Sequence, residues 1–97
     1  MKAYELLLMT NPTLDDEARA GVLDKVQNVI TADGGVVDTV DEWGKRKLAF
    51  EIGSLTEGDY TLVDFHSAPG AIAELDRVLR ITDGVVRHML VHREDRE

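Results

Sequence analysis

The chain has 97 residues, 43% hydrophobic and 31% charged, which supports one packed domain and excludes both a second domain of ordinary size and wholesale disorder. Its 19 acidic residues against 11 Lys and Arg give a net charge of −8, which excludes a uniformly basic nucleic-acid binder but not a local basic patch. With no cysteine, disulfides, cysteine zinc sites and thiol nucleophiles are excluded, and a reducing compartment fits.

Residues 2–9 alternate Tyr4, Leu6 and Leu8 against Glu5, Leu7 and Met9, and two largely apolar faces predict a central strand. Asn11-Pro12 ends it, because proline cannot donate to a ladder. Thr13 is the expected N-cap of a helix, with Asp16 completing a near capping box and Asp15, Asp16 and Glu17 favouring the helix dipole. Leu14, Ala18, Val22, Val26, Val29 and Ile30 recur as one helical stripe, and Gly34-Gly35 stops it.

Val36 to Ile52 is β-rich and interrupted at Trp43-Gly44, which fits one strand bent at Gly44 as well as two short strands. Gly53 to Asp59 reads as a polar loop, and Tyr60 to His66 as a strand with Thr61, Val63 and Phe65 on one face. Pro69 opens a second helix whose stripe is Ile72, Leu75, Val78 and Leu79, with Arg77 and Arg80 towards its C-terminal end. Asp83-Gly84 is a turn signal and Val85 to His92 a last strand.

The order strand, helix, strand, strand, helix, strand predicts an α+β, ferredoxin-like split βαβ fold: a four-stranded antiparallel sheet with both helices on one face. The first and third strands would be central, and the other sheet face bare unless a partner covers it. The single domain is expected over 1–93, with 94–97 a short charged tail. The longest aliphatic run, Leu6-Leu7-Leu8-Met9, is far too short to cross a bilayer, and no signal peptide is read, so a cytoplasmic protein with no membrane association is expected.

No catalytic constellation emerges. Ser54 and Ser67 lie in no nucleophile elbow, and Gly34-Gly35 lacks the Lys and Ser/Thr of a phosphate loop. His88 and His92 would be roughly 13 Å apart on a strand at about 3.3 Å per residue, too far to share an ion, so solvent- or partner-facing histidines are expected and no metal. The scattered acids read as solvated faces and caps.

Charge distribution is more informative than its sum. Residues 11–42 hold eight acids and two bases, whereas Lys45-Arg46-Lys47 follows directly beside Trp43, and Arg77, Arg80, Arg87 and Arg93 face only Asp83 within 77–93. Basic groups beside an aromatic suit phosphate contact and base stacking; an edge strand protected by charge is the plainer alternative.

Four stretches in order resemble a known family. Met1-Lys2-Ala3-Tyr4-Glu5 with Asn11-Pro12, then Trp43 to Ile52 with its Gly, two basic residues, Leu-Ala and aromatic, then Gly58-Asp59-Tyr60, and finally Leu79-Arg80-Ile81 with Asp83, Val85, Arg87 and Met89 are similar to the bacterial small-subunit ribosomal protein S6 family. The resemblance spans essentially the whole chain. It implies a ferredoxin-like, non-enzymatic protein without cofactor or small-molecule substrate, which binds the central domain of 16S ribosomal RNA as a heterodimer with ribosomal protein S18. Carried over, Trp43, Lys45, Arg46, Lys47, Arg80 and Arg87 become candidates for RNA or partner contact, with Lys2 and Tyr4 as weaker ones. Position 88 departs from the family pattern, being His where a small aliphatic residue is more typical. Two other functions use this fold. A small-molecule regulatory domain would need a ligand pocket at a dimer interface and a companion domain. An acylphosphatase-like enzyme would need an Arg-bearing phosphate loop where this chain has Thr10-Asn11-Pro12-Thr13.

Overall fold

In a computed structural model, residues 1–53 and 55–97 are described, with 49–51 described for their backbone alone. Ser54 and the side chains of Ala49, Phe50 and Glu51, which carry part of the resemblance, lie outside the described residues. The elements are β1 (Lys2–Thr10), α1 (Asp16–Ala32), β2 (Val36–Ile52), β3 (Leu55–Ser67), α2 (Gly70–Ile81) and β4 (Val85–His92), followed by a 3-10 turn at Glu94–Arg96. The sheet order is β2-β3-β1-β4 and every pairing is antiparallel. The expected split βαβ architecture is therefore the observed one, with β1 and β3 central.

The core sits between one sheet face and the two helices. Tyr4, Leu6 and Leu8 of β1 and Val63 and Phe65 of β3 meet Val22, Val26 and Ile30 of α1 and Leu75 and Leu79 of α2. Period-two alternation on the strands and steps of three and four on the helices bring these residues together without exception among the ten. Leu23, absent from the expected stripe, also packs against this core, while Ala18 is exposed.

The N-cap of α1 is Asp15, not Thr13. The Asn11 carboxamide oxygen accepts from both the Thr13 amide at 3.0 Å and its hydroxyl at 2.7 Å, so Thr13 is committed to an upstream turn. The helix starts later, and Asp15 Oδ1 accepts from the Ala18 amide at 2.7 Å. At the other end the Gly34 amide donates to Thr31 O and the Gly35 amide to Ile30 O, both at 3.0 Å, a Schellman arrangement with Gly34 at φ 79°.

Between Val36 and Ile52 the chain is one strand. Glu42 pairs with Thr61 and Gly44 with Tyr60, leaving Trp43 as the extra residue of a β-bulge that Gly44 enables at φ 78°. The expected loop at Gly53 to Asp59 is overturned: β3 begins at Leu55, and Arg46 pairs with Gly58 and Lys47 with Glu57. Gly58 belongs to the strand because a Cβ there would lie 2.4 Å from Met9 Sδ; its glycine lets Met9 close against the hairpin. β1 ends its pairing at Thr10 opposite Asp59, so the hairpin continues past that point as a two-stranded ribbon.

Candidate RNA and partner interface

The sheet face turned away from the helices follows from register. Leu7 lies between Leu62 and Met89, Met9 between Tyr60 and Arg87, and Glu5 between Asp64 and Val91. The two ends of this face differ in chemistry. Towards the ribbon it is apolar, with Trp43 40% and Met89 50% exposed, and Trp43 leans on Tyr60 with ring centroids 6.4 Å apart. The Trp43 indole N–H donates to Asp41 Oδ2 at 3.1 Å, which fixes the ring beside the bulge. Leu7, Met9, Tyr60, Arg87, His88 and Met89 line a shallow depression there.

The opposite end is sealed by charge. Arg93 pairs with Glu5 and, at 3.0 Å, with Asp95; Arg96 pairs with Asp64. Hydrogen bonds to Asp95 and then Glu5 raise the Arg93 pKa further still. Glu97 accepts from the Ala3 amide at 3.2 Å and meets His92 Nε2 at 2.6 Å. The His92 hydrogen bond is the main reason the Glu97 carboxyl titrates below its ordinary range. The segment after β4 is thus folded against the sheet by ion pairs.

The sequence-derived candidates separate accordingly. Lys45, Arg46 and Lys47 are exposed on β2 where it enters the ribbon, and Arg87 is exposed on β4 opposite Met9. Lys2, Lys45, Arg46, Lys47 and Arg87 have no acidic partner among the described residues, whereas Arg80 pairs with Asp76 at 2.9 Å. Register puts Arg46 on the same face as Trp43 and Arg87, and Lys45 and Lys47 on the other side of the ribbon. Lys2 stands at the far end of β1, away from this cluster. Tyr4 is buried, stacked on Phe65 at 5.7 Å and beside His92 at 5.2 Å, so it faces the core and offers no contact surface.

The histidines are not free. His88 points to the helix side, half-buried, with Nε2 2.7 Å from Asp76 Oδ1; this contact accounts for a polar residue on the last strand. Its hydrogen bond, ahead of Arg80, holds the Asp76 carboxyl below the usual range. His66 Nδ1 lies 2.6 Å from Asp38. Among the described residues no group of three or more His, Asp and Glu is placed to hold a metal ion, and no helix is long and apolar enough to cross a membrane.

Met89 and Val91, exposed on the open face, are not among the contact candidates that the sequence gives. The signal was present: Arg87, Met89 and Val91 alternate against His88 and Leu90, so apolar Met89 and Val91 face outward beside Arg87 once Leu90 is assigned inward.

The chain thus has a split βαβ sheet with one face packed on helices and the other bearing exposed apolar side chains beside cations that have no acidic partner among the described residues, a surface suited to docking on another macromolecule. Residues 3–92 match the family model described as Ribosomal protein S6, and the chain belongs to that family. The small ribosomal subunit protein bS6 of Clostridium novyi is 51% identical over 94 residues, covering 97% of this chain and 99% of that protein. The protein of the same name from Caldanaerobacter subterraneus subsp. tengcongensis is 43% identical over 95 residues, covering 98% and 100%. The crystal structure of 30S ribosomal protein S6 from Thermotoga maritima matches with a TM-score of 0.89 at 30% identity, over 97% of this chain and 89% of that one. The chain is accordingly a structural constituent of the small ribosomal subunit and not an enzyme.

Proposed function

We propose that the protein acts in the cytoplasm by binding the central domain of 16S ribosomal RNA jointly with ribosomal protein S18. One observation carries this reading: at a single end of the open sheet face, exposed Trp43 and Met89 adjoin Arg46 and Arg87, cations without acidic partners among the described residues. The apolar strip suits a protein partner, which would bury it, and the cations suit phosphate. Lys45 and Lys47, on the other side of the ribbon, extend the basic surface towards RNA. Arg80, tied to Asp76, has a lesser part, and Lys2 contacts RNA or partner only peripherally.

A net charge of −8 opposes RNA binding by the protein alone. A basic partner docked on the open face reverses that balance. The test measures binding to a central-domain RNA fragment with and without S18 across a salt series. Weak binding alone and tight, salt-sensitive binding with the partner are expected. Tight binding by the isolated protein at physiological salt overturns the reading.

A further inference from the structure

Where the basic ribbon leaves the sheet, a side chain from the first helix holds both of its strands. Arg19, one turn into α1, places Nη1 2.7 Å from Asp59 Oδ2 on β3 and Nε 3.8 Å from Glu42 Oε1 on β2, with Nη2 2.8 Å from Asp16 of its own helix. Asp59 is the last residue of β3 paired with β1, and it is 5% exposed. Glu42 immediately precedes the Trp43-Gly44 bulge, and Lys45 is the direct register partner of Asp59. The Thr10 hydroxyl donates to the Asp59 carbonyl at 3.3 Å, so β1, β2, β3 and α1 all converge on this point.

We infer that Arg19 is a positioning residue for the ribbon, setting the direction in which Lys45, Arg46 and Lys47 are presented without touching RNA itself. This rests on the reading of the ribbon as an RNA-facing element. A two-stranded ribbon beyond the last sheet neighbour is only marginally ordered by its own ladder. A planar guanidinium can engage a carboxylate on each strand at once, which a lysine ammonium does poorly. The clamp thus replaces the missing sheet neighbour at the ribbon's base. Three carboxylates around one guanidinium also keep Arg19 unavailable to phosphate.

Asp59→Asn tests the sign. The substitution removes a negative charge and releases Arg19, so simple electrostatics favour tighter RNA binding. The clamp has the opposite consequence: the full-length protein with S18 binds central-domain RNA about 3- to 10-fold more weakly, because ribbon order lost in the free state must be restored on binding. The log–log salt slope stays at the wild-type value, because no phosphate contact is removed. Hydrogen exchange of the free protein should accelerate at the amides of 45–48 and 55–58 and stay unchanged at Leu6 and Val63. Should Asp59→Asn fail to fold, Arg19→Lys preserves the charge and loses the two-strand grip; faster ribbon exchange and weaker binding at constant slope are again expected. Wild-type ribbon exchange in the folded variants, or binding as tight as wild type or tighter, overturns the clamp. Failure of the RNA reading shows separately, as an Arg46→Ala/Lys47→Ala protein that loses no affinity, and it removes the clamp's role as well.

Discussion

The two ends of the open sheet face belong to one sheet and have opposite fates. At the ribbon end, Trp43, Met89, Arg46 and Arg87 stand exposed, the cations without acidic partners among the described residues. At the tail end, Glu5 and Asp64 are covered by Arg93 and Arg96, and Glu97 binds His92 and the Ala3 amide. Charges already satisfied within the chain contribute little to recognition, since a partner must first displace what they hold. The ribbon end therefore has groups to offer, and the tail end has neutralised its own.

The largest expected effect strikes what both ends share. Leu75 is 1% exposed in the core beneath the sheet, and Leu75→Ala should lower unfolding free energy by about 2–5 kcal/mol through lost transfer energy and a cavity. A denaturant melt measures this, and a shift near zero would mean the sheet does not depend on α2. The next effect is confined to the ribbon end. Trp43→Ala should weaken S18 binding by about 2 kcal/mol, roughly 30-fold, as a buried aromatic anchor does, with stability nearly unchanged. Calorimetric titration with S18 checks it; equal affinity would move the docking surface off this end.

The salt dependence of RNA assembly resolves the cations more finely. Arg46→Ala/Lys47→Ala should lower the log–log salt slope by about 0.7–0.9 per lost phosphate contact, with the thermal midpoint unchanged. An unaltered slope would return this cluster to edge protection. The smallest effect belongs to the tail end and involves no RNA. The Glu97 carboxyl titrates below its ordinary 4.5, so its contribution is fully present above that value and fades as pH falls through the lower folded value. The Ala3 amide proton, bound to Glu97, should report this titration by NMR with a midpoint below 4.5 and lose it in Glu97→Gln. A midpoint at or above 4.5 would show that the tail is not docked in solution.

Much of the fold was legible because each signal is local. Leu6 and Leu8 alternate, Val22, Val26 and Ile30 repeat at steps of four, and Gly34-Gly35 closes a helix by backbone conformation alone. The errors came where two local signals competed. Thr13 and Asp15 both suit an N-cap, and only the prior commitment of Thr13 to Asn11 decides between them. Gly53 and Gly58 both read as loop, yet Gly58 lies in a strand because Met9, nearly fifty residues earlier, fills the space beside it. At the interface, Trp43 and the basic triplet were visible as composition, whereas the outward orientation of Met89 became visible only once Leu90 was fixed as inward-facing.

By itself the sequence determined the element order, the helix stripes, the central position of β1 and β3 and the presence of a basic cluster beside an aromatic, because these depend on residues close along the chain. Tertiary structure alone decided which charges remain available. Arg19, Lys45, Arg46, Arg80, Arg87, Arg93 and Arg96 are equivalent cations in a composition count. Pairing across the sheet and between helix and strand assigns Arg19 to Asp59, Arg80 to Asp76, Arg93 to Glu5 and Arg96 to Asp64. Except for the helical Arg80 pair, those carboxylates lie tens of residues away in sequence, and only folding brings them within the few ångströms over which an ion pair forms.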